Sequence, residues 1–370
     1  MSDKQKRILC VVGTRPEAIK MAPVILALRA APWAQVRVLA TAQHRQMLDQ
    51  VLEVFGIVPD VDMNIMRPNQ TLSELTARLL GELDGVLADE QPDVLLVQGD
   101  TTTVMTAAMA AFYRRIAVGH VEAGLRTGDI QNPFPEEMNR LVAGRLSRWH
   151  FAPTAGSRDN LLREGFDPAS VHVTGNTVID ALMNVVDRDL APPVGVAEQE
   201  RLVLVTAHRR ENFGAPFRGV CRAIRAVADG HDDVRILYPV HPNPNVSAVA
   251  HEVLANHPRI TLCAPLDYLP FVAAMKRAYL ILTDSGGVQE EAPALGKPVL
   301  VMRRETERPE AVAEGVVKLV GPDYDAIVTE AGRLLSDPVA YATMAKGVSP
   351  YGDGNAAQRI VSILQHDLLG

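Results

Sequence analysis

Short runs rich in Val, Ile and Leu alternate with longer amphipathic stretches along this chain, the pattern of parallel strands joined by crossover helices. In the first half the runs predict strands at 8–12, 36–40, 94–97, 116–118, 149–152 and 171–173. The stretches between them predict helices at 17–30, 45–55, 71–90, 103–113, 136–146 and 155–163. Segment 189–200, DLAPPVGVAEQE, interrupts the pattern, and its Pro-Pro and lack of periodicity predict a connector. The alternation then resumes, with strands at 202–205, 234–238, 260–262, 280–282, 299–302 and 316–319, and an amphipathic helix at 356–369. The predicted fold is α/β, with two Rossmann-like doubly wound domains at 1–188 and 189–350, and a C-terminal helical segment at 351–370 able to pack back on the first.

Composition narrows the function classes. At 370 residues each half can bury a full core, and a net charge of −7 argues against broad binding to nucleic acid or an anionic membrane. Cys10, Cys221 and Cys263 are far apart in sequence, which suggests neither a disulfide framework nor a zinc motif. With no targeting segment and no apolar run of membrane-spanning length, a cytoplasmic protein is expected.

In open α/β sheets ligands bind beyond the carboxyl ends of the strands, and those positions are polar and glycine-rich here. After the first strand, Gly13-Thr14-Arg15 and Lys20 bring cations where a dinucleotide site would bring three glycines. After the third, Asp100 either caps the next helix or leaves that task to the following threonines and is released for chemistry. The stretch GHVEAGLRTGDIQNPFPEEMNR, 119–140, then supplies Glu122 at a strand end. Pro135 suits the first helical position, and Glu136, Asn139 and Arg140 follow on one helical face. Carboxylates separated in this way, with cations between them, suit acid and base catalysis. In the second half His208 and His241 follow two strands, but the adjacent Arg209 and Arg210 disfavour a metal ion. Ser285-Gly286-Gly287 lead from a strand into a helix, an arrangement that suits a phosphate, and Glu291 lies one turn further on, in reach of ribose hydroxyls.

Taken in order, GTRPEAIKMAP (13–23), AQHRQML (42–48), QGDTTT (98–103), HVEAGLRTGD (120–129), PFPEEMNR (133–140), TAHRREN (206–212), HPNPNV (241–246), TDSGGVQEEAPALGKPVL (283–300) and ERPEAV (307–312) resemble the non-hydrolysing UDP-N-acetylglucosamine 2-epimerase family. The resemblance implies a glycosyltransferase-B type fold with the sugar held in the cleft between the domains. It implies catalytic roles for Lys20, Asp100, Glu122, Glu136, Arg140 and His208, and UDP contacts for Arg15, Phe271, Ser285, Gly286, Gly287 and Glu291. Some bacterial members bind a second UDP-N-acetylglucosamine as activator through residues matching Gln43, Gln46, Arg210 and His241. The implied reaction is reversible C2 epimerisation of UDP-N-acetylglucosamine to UDP-N-acetylmannosamine, by elimination of UDP to a 2-acetamidoglucal and re-addition. The implied protein is a homodimer with no cofactor, no metal and no nucleic-acid or membrane partner. Which carboxylate removes the C2 proton and which returns it stays open.

Overall fold

The computed structural model describes residues 5–41, 45–67, 70–188, 190, 196–197 and 199–370, the side chains of 45–47 excepted. The chain divides into two compact units, Met1–Asn184 with Tyr351–Gly370, and Val185–Pro350. Segment 189–200, expected to be a connector, lies largely outside the described residues.

Unit 1 runs β1 (Lys6–Val12), α1 (Arg15–Arg29), β2 (Ala34–Ala40), α2 (Arg45–Val54), β3 (Val61–Asp62), α3 (Leu72–Glu90), β4 (Val94–Gln98), α4 (Thr102–Tyr113), β5 (Ala117–Val121), α5 (Glu136–Leu146), β6 (Trp149–Ala152), α6 (Ala155–Arg163), β7 (Val171–Val173) and α7 (Thr177–Val186), the last crossing into unit 2. The seven strands are parallel, in the order β3-β2-β1-β4-β5-β6-β7. Every residue of β4 and β6 is buried, because helices cover both faces of a parallel sheet, and this is why these strands read as unbroken apolar runs.

Unit 2 runs β8 (Arg201–Thr206), α8 (Ala215–Gly230), β9 (Val234–Pro239), α9 (Pro244–Leu254), β10 (Ile260–Cys263), α10 (Tyr268–Arg277), β11 (Leu280–Thr283), α11 (Gly286–Ala294), β12 (Val299–Val301), α12 (Pro309–Ala313), β13 (Val317–Leu319), α13 (Tyr324–Ser336) and α14 (Pro338–Met344). Its six parallel strands lie in the order β10-β9-β8-β11-β12-β13. Both sheets are thus doubly wound.

The last helix, α15 (Ala356–Leu369), belongs to unit 1 and packs on α1. Ile360 and Leu364 are fully buried, Trp149 Nε1–H donates to Asp367 Oδ2 at 2.7 Å, and the Ala357 N–H donates to Asp180 Oδ1 at 2.8 Å. Four elements go beyond the sequence expectation: β3, α7, α13 and α14. β3 is an edge strand of two residues, too short to show a period, and α7 buries Val178, Ile179, Ala181, Leu182 and Val185 together with the polar Asp180. The three cysteines are free, and burial pushes the Cys10 and Cys221 thiols up to about 12, which makes them inert. Among the described residues no helix is long and apolar enough to cross a membrane.

Leu364→Ala removes a fully buried side chain from the α15 contact and is expected to cost about 2–5 kcal/mol in denaturant unfolding. A loss below about 0.5 kcal/mol would mean that α15 does not share the unit 1 core.

Candidate active site

In unit 1 the strand order runs outward in both directions from β1 and β4, so a ligand crevice is expected beyond their carboxyl ends. The loops leaving β1, β4 and β5 meet there. A Cβ on Gly13 would lie 2.7 Å from both Thr41 Oγ1 and Thr103 Oγ1, so the β1 loop passes these hydroxyls only because residue 13 is glycine. The Gly13 N–H donates to Glu17 Oε2 at 2.5 Å. Arg15, half-buried, opens α1, and Lys20 lies one turn further on.

Glu122 directly follows β5 and holds a φ of 64°, a left-handed conformation that is costly for a residue with a Cβ. Its carboxylate explains the cost. Oε1 accepts from Lys20 Nζ and, at 3.0 Å, from Asn176 Nδ2, while Oε2 accepts from Gln98 Nε2. The side chains of Lys20 and Glu122 are only 10% and 6% exposed. Deleting either partner of such a pair strands a buried charge, a loss of about 3–5 kcal/mol.

Asp100 follows β4 and is not the cap of α4. Thr101 Oγ1 accepts the Val104 N–H at 3.3 Å, which leaves the Asp100 carboxylate to Arg140 Nη2 at 2.5 Å. The Asp100 carbonyl accepts from Asn139 Nδ2 at 2.9 Å, so two side chains of one α5 face converge on this residue. Glu136 lies one turn earlier on that face, half-buried at the first position of α5. Pro135, expected inside the helix, is instead its N-cap, with its carbonyl accepting the Asn139 N–H at 3.1 Å.

Sequence reasoning missed several partners. Glu137, beside Glu136, is fully turned in: it accepts from Arg140 Nη1 at 3.0 Å and from the Thr127 and Gly128 N–H groups at 3.1 and 3.3 Å. Its spacing to Arg140 was the only available signal. His120 is buried, and burial holds its imidazole down to about 4. The neutral ring donates from Nε2 to the Gly99 carbonyl at 2.7 Å, bracing the loop that carries Asp100. Lys20, Asp100, Glu122, Glu136 and Arg140 therefore come together at one end of the unit 1 sheet.

In unit 2 the strand order reverses between β8 and β11, and the polar residues again follow those strands. Asp284, fully buried, accepts the backbone N–H groups of His208 and Arg209, both at 2.8 Å, and its other oxygen lies 3.4 Å from His208 Nδ1. The His208 ring stacks on that of His241 at 5.6 Å and 12°, so the structure joins two histidines that the family resemblance divides between catalytic and regulatory roles. His241 and Arg210 are exposed, Phe271 is half-buried on α10, and Glu291 is buried on α11. Gln43 and the side chain of Gln46 lie outside the described residues.

Ser285 is the N-cap of α11 and makes no side-chain cap, which leaves the helix-start N–H groups to a ligand. A Cβ on Gly286 would lie 2.7 Å from Arg308 Nη1, so glycine here admits a guanidinium over the helix start. A cation, free N–H groups and the helix dipole together suit a phosphate. Glu290 accepts from Arg308 Nε at 2.6 Å and fixes that guanidinium from below. Arg308 was quoted in a motif but given no role by the sequence. Among the described residues no group of three or more His, Cys, Asp or Glu side chains could hold a metal ion.

Comparison with known proteins gives a consistent result. A family model described as UDP-N-acetylglucosamine 2-epimerase matches residues 26–365. A Salmonella typhimurium UDP-N-acetylglucosamine 2-epimerase is 54% identical over 369 residues, covering 97% of this chain and 98% of the relative. The crystal structure of UDP-GlcNAc 2-epimerase from Neisseria meningitidis bound to UDP-GlcNAc superimposes with a TM-score of 0.91 at 47% identity, covering 97% of this chain and 100% of that one. The fold alone extends to a glycotransferase of kitacinnamycin, with a TM-score of 0.66 at 14% identity over 98% and 100% of the two chains.

Burial, eased by contacts from Thr101, Gly13 and Thr14 and reinforced by the Asp100 charge, pushes the Glu17 carboxyl from 4.5 up to about 7. The folded protein thus holds this proton more tightly than the unfolded chain does. The stability it confers is complete below about pH 4.5 and is lost as pH rises through 7. Glu17→Gln should match wild type near pH 4.5 and exceed it by about 1–3 kcal/mol above pH 7.5 in urea unfolding. Stability curves that run parallel from pH 4.5 to 8 would contradict this assignment.

Proposed function

Because the chain belongs to the UDP-N-acetylglucosamine 2-epimerase family, we propose that it interconverts UDP-N-acetylglucosamine and UDP-N-acetylmannosamine at C2 and so supplies precursors of cell-surface polysaccharide. The observation that carries this reading is the pair of buttressed carboxylates at adjacent strand ends: Glu122 held by Lys20, and Asp100 held by Arg140. The C2 hydrogen of an N-acetylhexosamine has no ring carbonyl beside it to stabilise a carbanion. Breaking the C1–O bond to UDP as the proton leaves avoids that carbanion and gives a 2-acetamidoglucal, and re-addition with protonation from the opposite face completes the inversion. The reaction therefore calls for carboxylates about C2 and for positive charge on the departing diphosphate.

Asp100, Glu122 and Glu136 serve the proton transfers in this reading, with Lys20 and Arg140 holding the first two carboxylates in place. Arg15, His208 and the Ser285-Gly286-Gly287 helix start take the diphosphate, joined by Arg308, whose guanidinium lies over that start. Phe271 and Glu291 take the uridine side. Arg210 and His241, with Gln43 and Gln46, serve a second nucleotide sugar. A cytoplasmic setting is supported by the three free cysteines, and a homodimer by family resemblance.

Incubation with UDP-N-acetylglucosamine, followed by proton and phosphorus NMR, should show UDP-N-acetylmannosamine at equilibrium from either direction. Free N-acetylmannosamine and UDP as the main products would assign a hydrolytic reaction instead. Asp100→Asn, Glu122→Gln and Glu136→Gln should each lower kcat by about 10²–10⁴-fold with UDP affinity little changed. A variant that chiefly weakened UDP binding would lose its place among the proton-transfer groups.

A further inference from the structure

We propose that Asp284 is a positioning residue for His208: it anchors the loop after β8 through two backbone N–H groups and fixes the imidazole with its proton on Nδ1, leaving Nε2 to the ligand. That Nε2 meets a diphosphate rests on the function proposed above, whereas the pairing of the two side chains does not.

Asp284 has no exposed surface. One carboxylate oxygen is satisfied by the His208 and Arg209 N–H groups at 2.8 Å each. The other, Oδ1, is buried without a hydrogen-bond partner and lies 3.4 Å from His208 Nδ1. A buried carboxylate oxygen without a donor is costly, and an Nδ1–H within a short adjustment of it relieves that cost. Neither partner is free to drift. The Asp284 N–H donates to the Thr206 carbonyl at 2.9 Å, the Thr206 and Thr283 hydroxyls meet at 2.5 Å, and Tyr238 Oη–H donates to the Ala207 carbonyl at 2.6 Å. The carboxylate thus stands at the end of β11 and the imidazole just beyond the end of β8, on neighbouring strands paired Thr283 to Thr206.

The ring nitrogens of histidine are not equivalent, and the bond made by one decides what the other can do. With Nδ1–H directed at Asp284, Nε2 carries the lone pair in the neutral ring and the second proton in the imidazolium. The groups facing His208 are Asp284 from the end of β11, Arg209 on its own loop and His241 from the loop after β9. Burial comes first in holding the ring below the ordinary histidine value, Arg209 and His241 act in the same direction, and Asp284 alone among these groups favours the charged form. The same carboxylate therefore sets the tautomer and sustains the proton affinity of Nε2.

The full-length protein labelled with ¹⁵N-histidine tests this directly, with the His208 signals assigned by their loss in His208→Gln. The expected neutral ring is the Nδ1–H tautomer. Asp284→Asn keeps an oxygen for the two backbone N–H groups but turns an amide donor toward Nδ1. It should switch the neutral ring to Nε2–H, lower the His208 titration midpoint by about one to two pH units and lower kcat on the order of 100-fold, with less change in KM. A wild-type ring found as Nε2–H, or a tautomer and midpoint unmoved in Asp284→Asn, overturns the proposal. If the variant does not fold, the wild-type tautomer alone decides. An Nδ1–H ring in a protein without epimerase turnover supports the pairing while removing the proposed function.

Discussion

A buried carboxylate that must be satisfied by donors from three separate segments is the constraint on which unit 1 depends. Glu122 draws Lys20 from α1, Gln98 from β4 and Asn176 from the loop after β7, and it adopts a backbone conformation that an isolated chain would avoid. Each donor arrives only if the sheet is assembled in the right register, since Gln98 pairs with Val121 across β4 and β5. Asn176 adds a further link, because its own N–H donates at 2.6 Å to the carbonyl of Tyr351, where the chain re-enters unit 1. Folding of the sheet, return of the C-terminal segment and placement of this buried carboxylate are thus a single cooperative problem.

Unit 2 meets a different demand with the same topology. Its strand ends carry a helix start, an arginine held over a glycine and a histidine braced by a fully buried aspartate, which is equipment for an anion. Unit 1 places ionised pairs at its strand ends, and unit 2 places N–H groups and cations. A reaction that moves a proton at one carbon while a diphosphate leaves its neighbour draws on both kinds of equipment.

The strands were legible because burial on both faces writes a parallel strand as an apolar run, and β6 and β7 appear with the bounds that pattern predicts. β3 was illegible at two residues, and α7 because its Asp180 is buried with the apolar residues instead of marking an outer face. Motif residues were legible as a set, whereas their pairings were not. Lys20 and Glu122 are 102 positions apart, and His208 and Asp284 are 76, so only the folded topology brings them together. Of the adjacent Glu136 and Glu137, either spacing to Arg140 suits a helix; the structure selects Glu137 for the ion pair because its other oxygen closes the Thr127–Gly128 turn.

In the proposed reaction, carboxylates at the β4 and β5 ends exchange the C2 proton while the bond to UDP breaks and re-forms. Running the reaction in deuterated water and reading C2 by NMR tests it most directly. Deuterium is expected at C2 of both UDP-N-acetylglucosamine and UDP-N-acetylmannosamine as equilibrium is approached. Interconversion of the two epimers with hydrogen retained at C2 would contradict it.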